Sequence, residues 1–321
     1  MKTVVLNESF LKDTHLDRLK KLGEVEVLLG TTSEDLAIER LKGADVAIAD
    51  MFESPLNKTV LANVPSVKFI SINTTGFDLV DIASARENNI TVSNVPGFGT
   101  QGVAEHAIAL LFATVRHIVA DDKAMRAGPF QLDPANRDHD RYLGTDVYGK
   151  TIGIIGLGQI GTRVAELAMA LGMNVLTYNR SPREVAGIEM VSLEELLKRS
   201  DVVSLNGAYS PDQENLINED MIALMKKTAV LINTARGSFV DDTALAKALT
   251  ENRIAGAGLD FLHDWSSDNP LLKLDNVVLT PHVGWFTEES LANLADIIVE
   301  NVEAFASGKP INVISMLATP Q

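Results

Sequence analysis

An arginine and a histidine each follow an apolar segment in the second half of the chain. Arg236 comes after "VLINTA" and His282 after "VVLTP". In a parallel sheet, ligands bind beyond the carboxyl ends of the strands, where we expect both side chains. An imidazole transfers a proton near neutral pH, and a guanidinium binds a carboxylate while polarising a neighbouring carbonyl. The pair suits the interconversion of a 2-keto and a 2-hydroxy acid beside a nicotinamide. Taken singly, Arg236 could form a salt bridge and His282 could be a core residue.

A glycine-rich turn in the middle of the chain is the second chemical feature. Gly156, Gly158 and Gly161 in "TIGIIGLGQIG" have the G-x-G-x-x-G spacing, after an apolar segment and at the start of an amphipathic one. This spacing allows a tight turn, a close approach of backbone to pyrophosphate, and close packing of helix on strand. In this context it predicts a dinucleotide site, with a purely structural turn as the alternative.

The segment that follows this turn indicates which dinucleotide binds. It ends in "VLTYNRSPR", with Asn179 where an NAD site carries an Asp or Glu for the ribose hydroxyls. Arg180, Ser181 and Arg183 come next. Without the carboxylate a 2′-phosphate is not repelled, and a guanidinium can bind it. We therefore expect NADP(H) in preference to NAD(H); the alternative is that Arg180 stacks on the adenine.

Strands and helices alternate in two separate runs, which predicts an α/β fold with two doubly wound parallel sheets. The predicted strands are Thr3–Leu6, Glu24–Leu28, Val46–Ala49, Lys68–Ile72 and Thr91–Ser93 in the first run, then Thr151–Ile155, Val175–Tyr178, Val202–Leu205, Ala229–Asn233, Ile254–Leu259 and Val277–Leu279.

The second run interrupts the first. Because 321 residues exceed what one core usually organises, we expect two domains. A Rossmann dinucleotide-binding domain over 100–286 is inserted into a flavodoxin-like substrate domain formed by 1–99 and 287–321. One long helix over 101–127 would connect them, and the polar segment 128–150 would be a surface loop or subunit-contact arm. We expect ligands in the cleft between the domains.

The composition narrows the choice of partners and compartment. A net charge of −15 argues against a nucleic acid as binding partner, because a protein binds a polyanion through clustered Lys and Arg side chains. The apolar segment "AIALLFATV" is too short to cross a bilayer, so no membrane partner is expected. The absence of cysteine is compatible with a reducing compartment. These features predict a soluble, cytoplasmic protein.

Five segments, in order, resemble the D-isomer-specific 2-hydroxyacid dehydrogenase family over nearly the whole chain. They are "NTTGFDLVD", "NVPGFGTQGVAEHAIALL", "GKTIGIIGLGQIG", "NTARGSFVDDTAL", and "AGAGLD" with "NVVLTPHVGW". The branch that the chain resembles holds glyoxylate and hydroxypyruvate reductases and glycerate dehydrogenases. The resemblance implies an inserted Rossmann domain, a homodimer built through the cofactor domains, and no metal ion.

The resemblance also implies roles for individual residues. Arg236 would bind and polarise the substrate, and His282 would be the acid–base. The backbone amides of Thr75 and Gly76 would bind the substrate carboxylate, and Asp260 would face the nicotinamide carboxamide. The further cofactor contacts predicted in the matching segments are those of Gln159, Ile160, Thr234, Ala235 and Gly284.

One departure concerns the glutamate that hydrogen-bonds the catalytic histidine in this family. In "GLDFLHDWSSDNPLL" Trp265 stands at the usual spacing and no glutamate is present. Counting back from "NVVLTPH" with one deletion puts Asp264 in that place, so we predict it as the third catalytic residue. Asp268 is the alternative, and His263 is expected to be a loop residue. The segment "LNGAYSP" replaces a usual histidine and proline, which should alter the wall beside the nicotinamide.

Two aromatic residues are predicted to line a small substrate pocket. Trp285 lies three residues after His282, and Phe52 would close the opposite wall; core or interface packing is the alternative for both. The predicted function is an NAD(P)H-dependent reductase that interconverts small 2-keto acids, such as glyoxylate or hydroxypyruvate, and D-2-hydroxy acids. A bulkier apolar keto acid remains open as substrate. The alternative from another class is a nucleotide-sensing, corepressor-like interaction protein with weak or no dehydrogenase activity.

Overall fold

A computed structural model describes most of the chain. The residues that it describes are 1–7, 10–50, 52–77, 79–128, 143–181, 185–208 and 210–315. They form two compact units, which we call unit 1, within the ranges 1–99 and 287–321, and unit 2, within 100–286.

Unit 1 is built on a five-stranded parallel sheet. Its elements in chain order are β1 (Lys2–Leu6), α1 (Asp13–Lys20), β2 (Glu24–Leu28), α2 (Glu34–Leu41), β3 (Val46–Ala49), α3 (Lys58–Ala62), β4 (Phe69–Ile72), α4 (Ile82–Glu87), β5 (Thr91–Ser93) and, at the end of the chain, α11 (Glu288–Ala306). The strand order β2-β1-β3-β4-β5 is the flavodoxin-like order that the sequence predicts. β3 and β4 are apolar and buried along their whole length, as central parallel strands should be.

The last helix, α11, packs against the sheet of unit 1. Phe305 stacks on Phe69 of β4, with ring centroids 4.6 Å apart. Asn301 is fully buried, and its side-chain amide donates to the carbonyl of Asn94 at 2.9 Å. A buried amide is retained only when it is hydrogen-bonded, so this contact fixes the position of the helix as well as contributing to packing.

Unit 2 is built on a seven-stranded parallel sheet. Its elements in chain order are α5 (Thr100–Val115), α6 (Ile118–Ala127), β6 (Thr151–Ile155), α7 (Gln159–Ala170), β7 (Asn174–Tyr178), β8 (Glu189–Met190), α8 (Leu193–Arg199), β9 (Val202–Leu205), α9 (Glu219–Ala223), β10 (Val230–Asn233), α10 (Asp242–Thr250), β11 (Gly256–Leu259) and β12 (Val277–Leu279). The order β12-β11-β10-β9-β6-β7-β8 contains the strand arrangement of dinucleotide-binding folds. All six predicted strands are present. β8 was not predicted, because a strand of two exposed residues is too short to show a pattern.

The predicted single helix over 101–127 is wrong, because the chain bends by 57° between α5 and α6. His117 adopts a left-handed conformation with φ of 54°, and the carbonyl of Val115 accepts from the amide of Thr145 instead of continuing the helix. α5 contributes seven buried residues to unit 2, whereas α6 has none, so the two halves pack differently. Within the described ranges no single helix meets the length and hydropathy of a membrane span; α5 and α6 do so only when joined across this bend.

Candidate active site

Three predicted site residues lie beyond the carboxyl ends of three neighbouring strands in unit 2. Arg236 follows β10, Asp260 follows β11 and His282 follows β12. The three strands are adjacent and parallel, so their carboxyl ends lie at the same edge of the sheet. The sheet therefore collects side chains that are far apart in the sequence.

Arg236 and His282 both contact Phe261, a residue that the sequence analysis missed. The rings of Phe261 and His282 have centroids 4.4 Å apart and are tilted by 56°. The guanidinium carbon of Arg236 lies 5.8 Å from the centroid of the Phe261 ring, within the range of a cation–π contact. The available signal was its position directly after Asp260, at the end of a buried strand. The structure thus brings the predicted acid–base and the predicted carboxylate binder to one phenyl ring.

Asp260 holds the turn that carries His282. The amide of His282 donates to the carbonyl of Asp260 at 2.9 Å. The carboxylate accepts from the Thr280 hydroxyl at 2.5 Å and from the amides of Val283 at 3.0 Å and Gly284 at 2.9 Å. His282 itself has φ of 55°, a conformation that a non-glycine residue adopts only when its surroundings enforce it. These bonds supply that enforcement. The contact predicted between Asp260 and the nicotinamide carboxamide stays a prediction.

The charges around this turn favour an ionised Asp260 and a neutral His282. Burial is the largest influence on the Asp260 carboxyl and raises its pKa, but hydrogen bonds from His106, Thr280 and two backbone amides outweigh it and hold the pKa below its ordinary value. Burial is also the largest influence on His282 and lowers its pKa. Asp260 raises the pKa of the imidazole and Arg236 lowers it, so the net shift is downward.

A close approach of two loops fixes Arg236. A Cβ at Gly237 would lie 2.1 Å from the carbonyl oxygen of Leu262, so only glycine allows the Arg236 loop to pack on the loop after β11. The side chain of Asn233 donates to the carbonyl of Arg236 at 2.9 Å and accepts from the amide of Ala235 at 3.0 Å. The backbone of Arg236 is therefore held on both sides.

The structure does not bring Asp264 to His282. Its carboxylate accepts from the amide and the hydroxyl of Ser266, at 2.8 and 2.6 Å, and its amide donates to Asp242 at 3.1 Å. The hydrogen bonds from Ser266 lower the pKa of the Asp264 carboxyl. The local turn thus takes the carboxylate that the spacing argument assigned to the imidazole. The other residues considered for this loop are also exposed: His263, Trp265 and Asp268.

The glycine-rich turn has the shape that a pyrophosphate requires. Gly156 has φ of 95°, and a Cβ at Gly161 would lie 2.1 Å from the carbonyl oxygen of Gly156. Among the residues that the structure describes, a Cβ at Gly158 would meet no atom within 4 Å, so the backbone there is open to a ligand. α7 begins at Gln159, which is exposed, and no side chain caps its first amides. Ile160 is partly buried and packs against the apolar core of unit 2.

Two orphaned polar atoms lie at the same sheet edge. Among the described residues, Oγ1 of Thr234 and Oδ1 of Asn206 are buried and have no hydrogen-bond partner. Thr234 follows β10, next to the nearly buried Ala235, and Asn206 follows β9. Buried polar atoms without partners are costly and point to a ligand that satisfies them. Together with the open turn at Gly158, they fit a bound dinucleotide.

Beyond β7, Asn179 and Arg180 have separate partners. The side-chain oxygen of Asn179 accepts from the amide of Leu157 at 2.8 Å, so it braces the glycine-rich turn. The guanidinium of Arg180 donates to the hydroxyl of Ser210 at 2.8 Å and lies 3.4 Å from the carboxylate of Asp212. Arg180 is exposed. Of the other residues predicted here, one is exposed and one lies outside the described residues: Ser181 and Arg183, respectively.

The predicted substrate residues of unit 1 lie in exposed or half-buried loops. Within the described residues, the amides of Thr75 and Gly76 donate no hydrogen bond, so both are available to an anion. The hydroxyl of Thr75 donates to the carbonyl of Val95 at 2.8 Å, which anchors the loop. Phe52 is 53% exposed. In unit 2, Trp285 is half-buried with its ring edge-on to Phe286 at 5.2 Å.

The sequence profile described as "D-isomer specific 2-hydroxyacid dehydrogenase, NAD binding domain" matches residues 108–284, more than half of the chain. The chain belongs to the D-isomer-specific 2-hydroxyacid dehydrogenase family. Within this family it is 40% identical over 280 residues to a glyoxylate reductase of Pyrococcus horikoshii, covering 86% of this chain and 84% of the relative. It is 36% identical over 324 residues to a hydroxypyruvate reductase of Blautia hydrogenotrophica, covering 98% of this chain and 100% of the relative.

A solved structure of an acyclic imino acid reductase, in complex with NADPH and D-Arg, is also similar to this dehydrogenase-family chain. The TM-score is 0.90 at 39% identity, covering 98% of this chain and 100% of the other. These relatives confirm the predicted family, its glyoxylate and hydroxypyruvate branch, and a nicotinamide-dinucleotide-binding domain. Their names favour an oxidoreductase over the corepressor-like alternative. In the described ranges, no group of three or more His, Asp or Glu residues could hold a metal ion.

Proposed function

We propose that this chain is an NADP(H)-dependent reductase that interconverts small 2-keto acids, such as glyoxylate or hydroxypyruvate, and D-2-hydroxy acids. The observation that carries the proposal is the convergence of Arg236 and His282 on one phenyl ring, at the carboxyl ends of β10 and β12, the two strands that flank β11. The relatives named glyoxylate and hydroxypyruvate reductase support this substrate class.

Each side chain has a role that follows from its chemistry. His282 donates a proton to the carbonyl oxygen, and in the reverse direction it accepts the proton from the hydroxyl. Arg236 binds the substrate and stabilises the negative charge that develops on that oxygen. The amides of Thr75 and Gly76 bind the substrate carboxylate, and Trp285 and Phe52 line the side-chain pocket. A bound nicotinamide supplies or accepts the hydride.

The preference for NADP(H) over NAD(H) is proposed from the residues that follow β7. Asn179 places a neutral amide where a carboxylate would repel a 2′-phosphate, and its oxygen already braces the glycine-rich turn. The exposed guanidinium of Arg180 supplies the positive charge. The NADPH complex of the imino acid reductase is consistent with this preference.

A second candidate is the reduction of acyclic 2-imino acids. An iminium carbon–nitrogen bond already carries its proton and needs none from the imidazole. The imino acid reductase among the similar structures supports this candidate.

We also propose a homodimer formed through unit 2. None of the residues of α6 is buried, and three large apolar side chains on it are about half exposed: Ile118, Val119 and Met125. Such a patch is typical of an interaction surface. Of the predicted contact arm over 128–150, residues 129–142 lie outside the described residues. A cytoplasmic location remains a prediction from the cysteine-free composition.

A single panel tests the main proposal. Initial rates are measured at the nicotinamide absorbance band, with NADPH and NADH against glyoxylate, hydroxypyruvate, pyruvate and phenylpyruvate, each with and without ammonia or an amine. We expect turnover with a small keto acid and a higher kcat/KM with NADPH. Turnover only when an amine is present would favour the imino acid candidate. Binding of NADP⁺ without turnover on any substrate would contradict both and support the corepressor-like alternative.

A further inference from the structure

The ring of Phe261 lies against both His282 and Arg236, which we call the acid–base pair. Its ring centroid is 4.4 Å from that of the His282 imidazole and 5.8 Å from the guanidinium carbon of Arg236. On another side it meets the indole of Trp265 edge-on, with centroids 5.7 Å apart. Trp265 itself is 51% exposed. A neutral aromatic side chain is thus shared by two side chains that carry charge in the reaction.

The backbone on both sides of Phe261 is held firmly. Asp260, before it, is 2% exposed and accepts hydrogen bonds from three partners in the His282 turn. Leu262, after it, is 5% exposed, and its carbonyl is packed against Gly237. A side chain between two buried, fixed neighbours has little freedom to move, so its ring can act as a rigid spacer.

We propose that Phe261 is a positioning residue for this site: its ring sets the spacing between Arg236 and His282 and covers one face of the imidazole. The inference rests on the proposed function for its effect on turnover, but not for its effect on His282. The ring attracts the guanidinium through its face and packs on the imidazole, so both are held in place without adding a charge.

The electrostatic setting supports this role. Two charged groups act on His282, namely Arg236 from the loop after β10 and Asp260 from the end of β11. His106 of α5 faces Asp260 at 3.4 Å and contacts Thr280 rather than the imidazole. Because burial is the largest influence on His282 and lowers its pKa, an apolar ring over the imidazole acts in the same direction.

The experiment compares Phe261→Leu, which keeps an apolar side chain without the ring, with Phe261→Tyr, which keeps the ring. Trp265→Leu is the matched control, because it removes an aromatic neighbour of Phe261 while the ring of Phe261 stays in place. The readouts are the titration of His282 by NMR of the six histidines, with His282→Gln for assignment, the pH profile of kcat and KM, and binding of NADP⁺.

We expect Phe261→Leu to raise the His282 pKa towards its ordinary value, because the imidazole loses part of its apolar cover. We expect it to lower kcat about tenfold, because the spacing between Arg236 and His282 is lost, with NADP⁺ binding unchanged. Phe261→Tyr and Trp265→Leu should keep the wild-type titration. An unshifted titration in Phe261→Leu, or an equal shift in Trp265→Leu, would overturn the proposal. The NMR titration needs no substrate, so a wild type without turnover would refute the proposed function while still testing Phe261.

Discussion

The carboxyl edge of the unit 2 sheet has two halves that solve different problems. In the cofactor half, at the ends of β6 and β7, Gly158 leaves the backbone open and the first amides of α7 have no side-chain cap. In the acid–base half, at the ends of β10 to β12, side chains form the site, and His282 is held at φ of 55° by bonds to Asp260. We expect the first half to bind its ligand through backbone groups that are left open. We expect the second half to act through side chains that a constrained backbone holds in place.

The largest effect is expected from substitutions in the acid–base half, which should lower turnover without changing cofactor affinity. His282→Ala and Arg236→Ala should each lower kcat/KM for keto acid reduction by about 10²- to 10⁴-fold, because the proton donor or the carbonyl polariser is lost. NADP⁺ affinity, measured by fluorescence titration, should stay near the wild-type value. A parallel loss of NADP⁺ affinity would show that the two halves are not independent.

The converse test is a substitution in the cofactor half, which should weaken binding of NADP⁺. Gly158→Val should weaken NADP⁺ binding at least about tenfold, because the new side chain occupies the space through which the backbone approaches the ligand. The Cβ would meet no atom of the described part of the chain within 4 Å, so the melting temperature should not change. Gly161→Ala is the contrast, because its Cβ would lie 2.1 Å from the Gly156 carbonyl oxygen. It should lower the melting temperature. A lowered melting temperature in both variants would indicate that the glycines serve the fold of the turn and not the binding of a ligand.

The same contrast explains which parts of the molecule could be predicted from the sequence. The cofactor half was predictable because its geometry is a local property of the backbone. The spacing of Gly156, Gly158 and Gly161 predicts the turn directly, and apolar segments predict the strands of the sheet that carries it. The positions of Arg236 and His282 followed from the same strands.

Predictions that depended on tertiary contacts were less successful. Asp264 was predicted from the spacing as the partner of His282, but its carboxylate accepts hydrogen bonds from Ser266 and its amide donates to Asp242. Phe261 was missed because a phenylalanine at a strand end has no distinctive pattern. The bend at His117 was missed because a left-handed histidine is rare and has no signature like that of glycine. In each case the deciding interaction is with a residue that the local sequence does not specify.

An intermediate effect is expected for Asp260→Asn, which tests whether hydrogen bonding fixes the His282 turn. The amide would present a donor to groups that now donate to the carboxylate, at a cost of about 1–3 kcal/mol. Both melting temperature and kcat should fall. Asp201→Asn is the control, because Asp201 also accepts a hydrogen bond from a backbone amide, that of Thr151, and pairs with Lys226, but precedes β9, at the opposite end of the strands. It should lower stability without affecting kcat; an equal loss of kcat would contradict the positioning role.

The pH dependence of this variant has a definite sign. The pKa of Asp260 is lowered in the folded chain, so its contribution to stability is present above the pKa of the unfolded chain and is lost as the pH falls through the folded pKa. The difference in unfolding free energy between wild type and Asp260→Asn should therefore shrink in acid. A difference independent of pH would contradict the shift.

A smaller effect is expected within the cofactor half, at the carboxylate that faces Arg180. Asp212 lies 3.4 Å from the guanidinium and would compete with a 2′-phosphate for it. Because the pair is exposed, Asp212→Asn should raise NADP⁺ affinity only about two- to fivefold and leave NAD⁺ affinity unchanged. The control is Glu189→Gln. Glu189, at the start of β8, is a similarly exposed ion-pair partner of Arg199. An equal gain for both nucleotides would exclude a contact with the 2′-phosphate.

The smallest expected effect is at Asp264, and its smallness is informative. If this carboxylate supported the imidazole, Asp264→Asn would shift the pH profile of kcat/KM and the His282 titration. In the structure both carboxylate oxygens accept from Ser266, and the charges that act on His282 belong to Asp260 and Arg236. We therefore expect Asp264→Asn to leave both profiles unchanged. A downward shift of the His282 pKa in this variant would show that Asp264 reaches the imidazole in solution. It would then be the charge on the loop after β11, and not the ring of Phe261, that sets the protonation of the site.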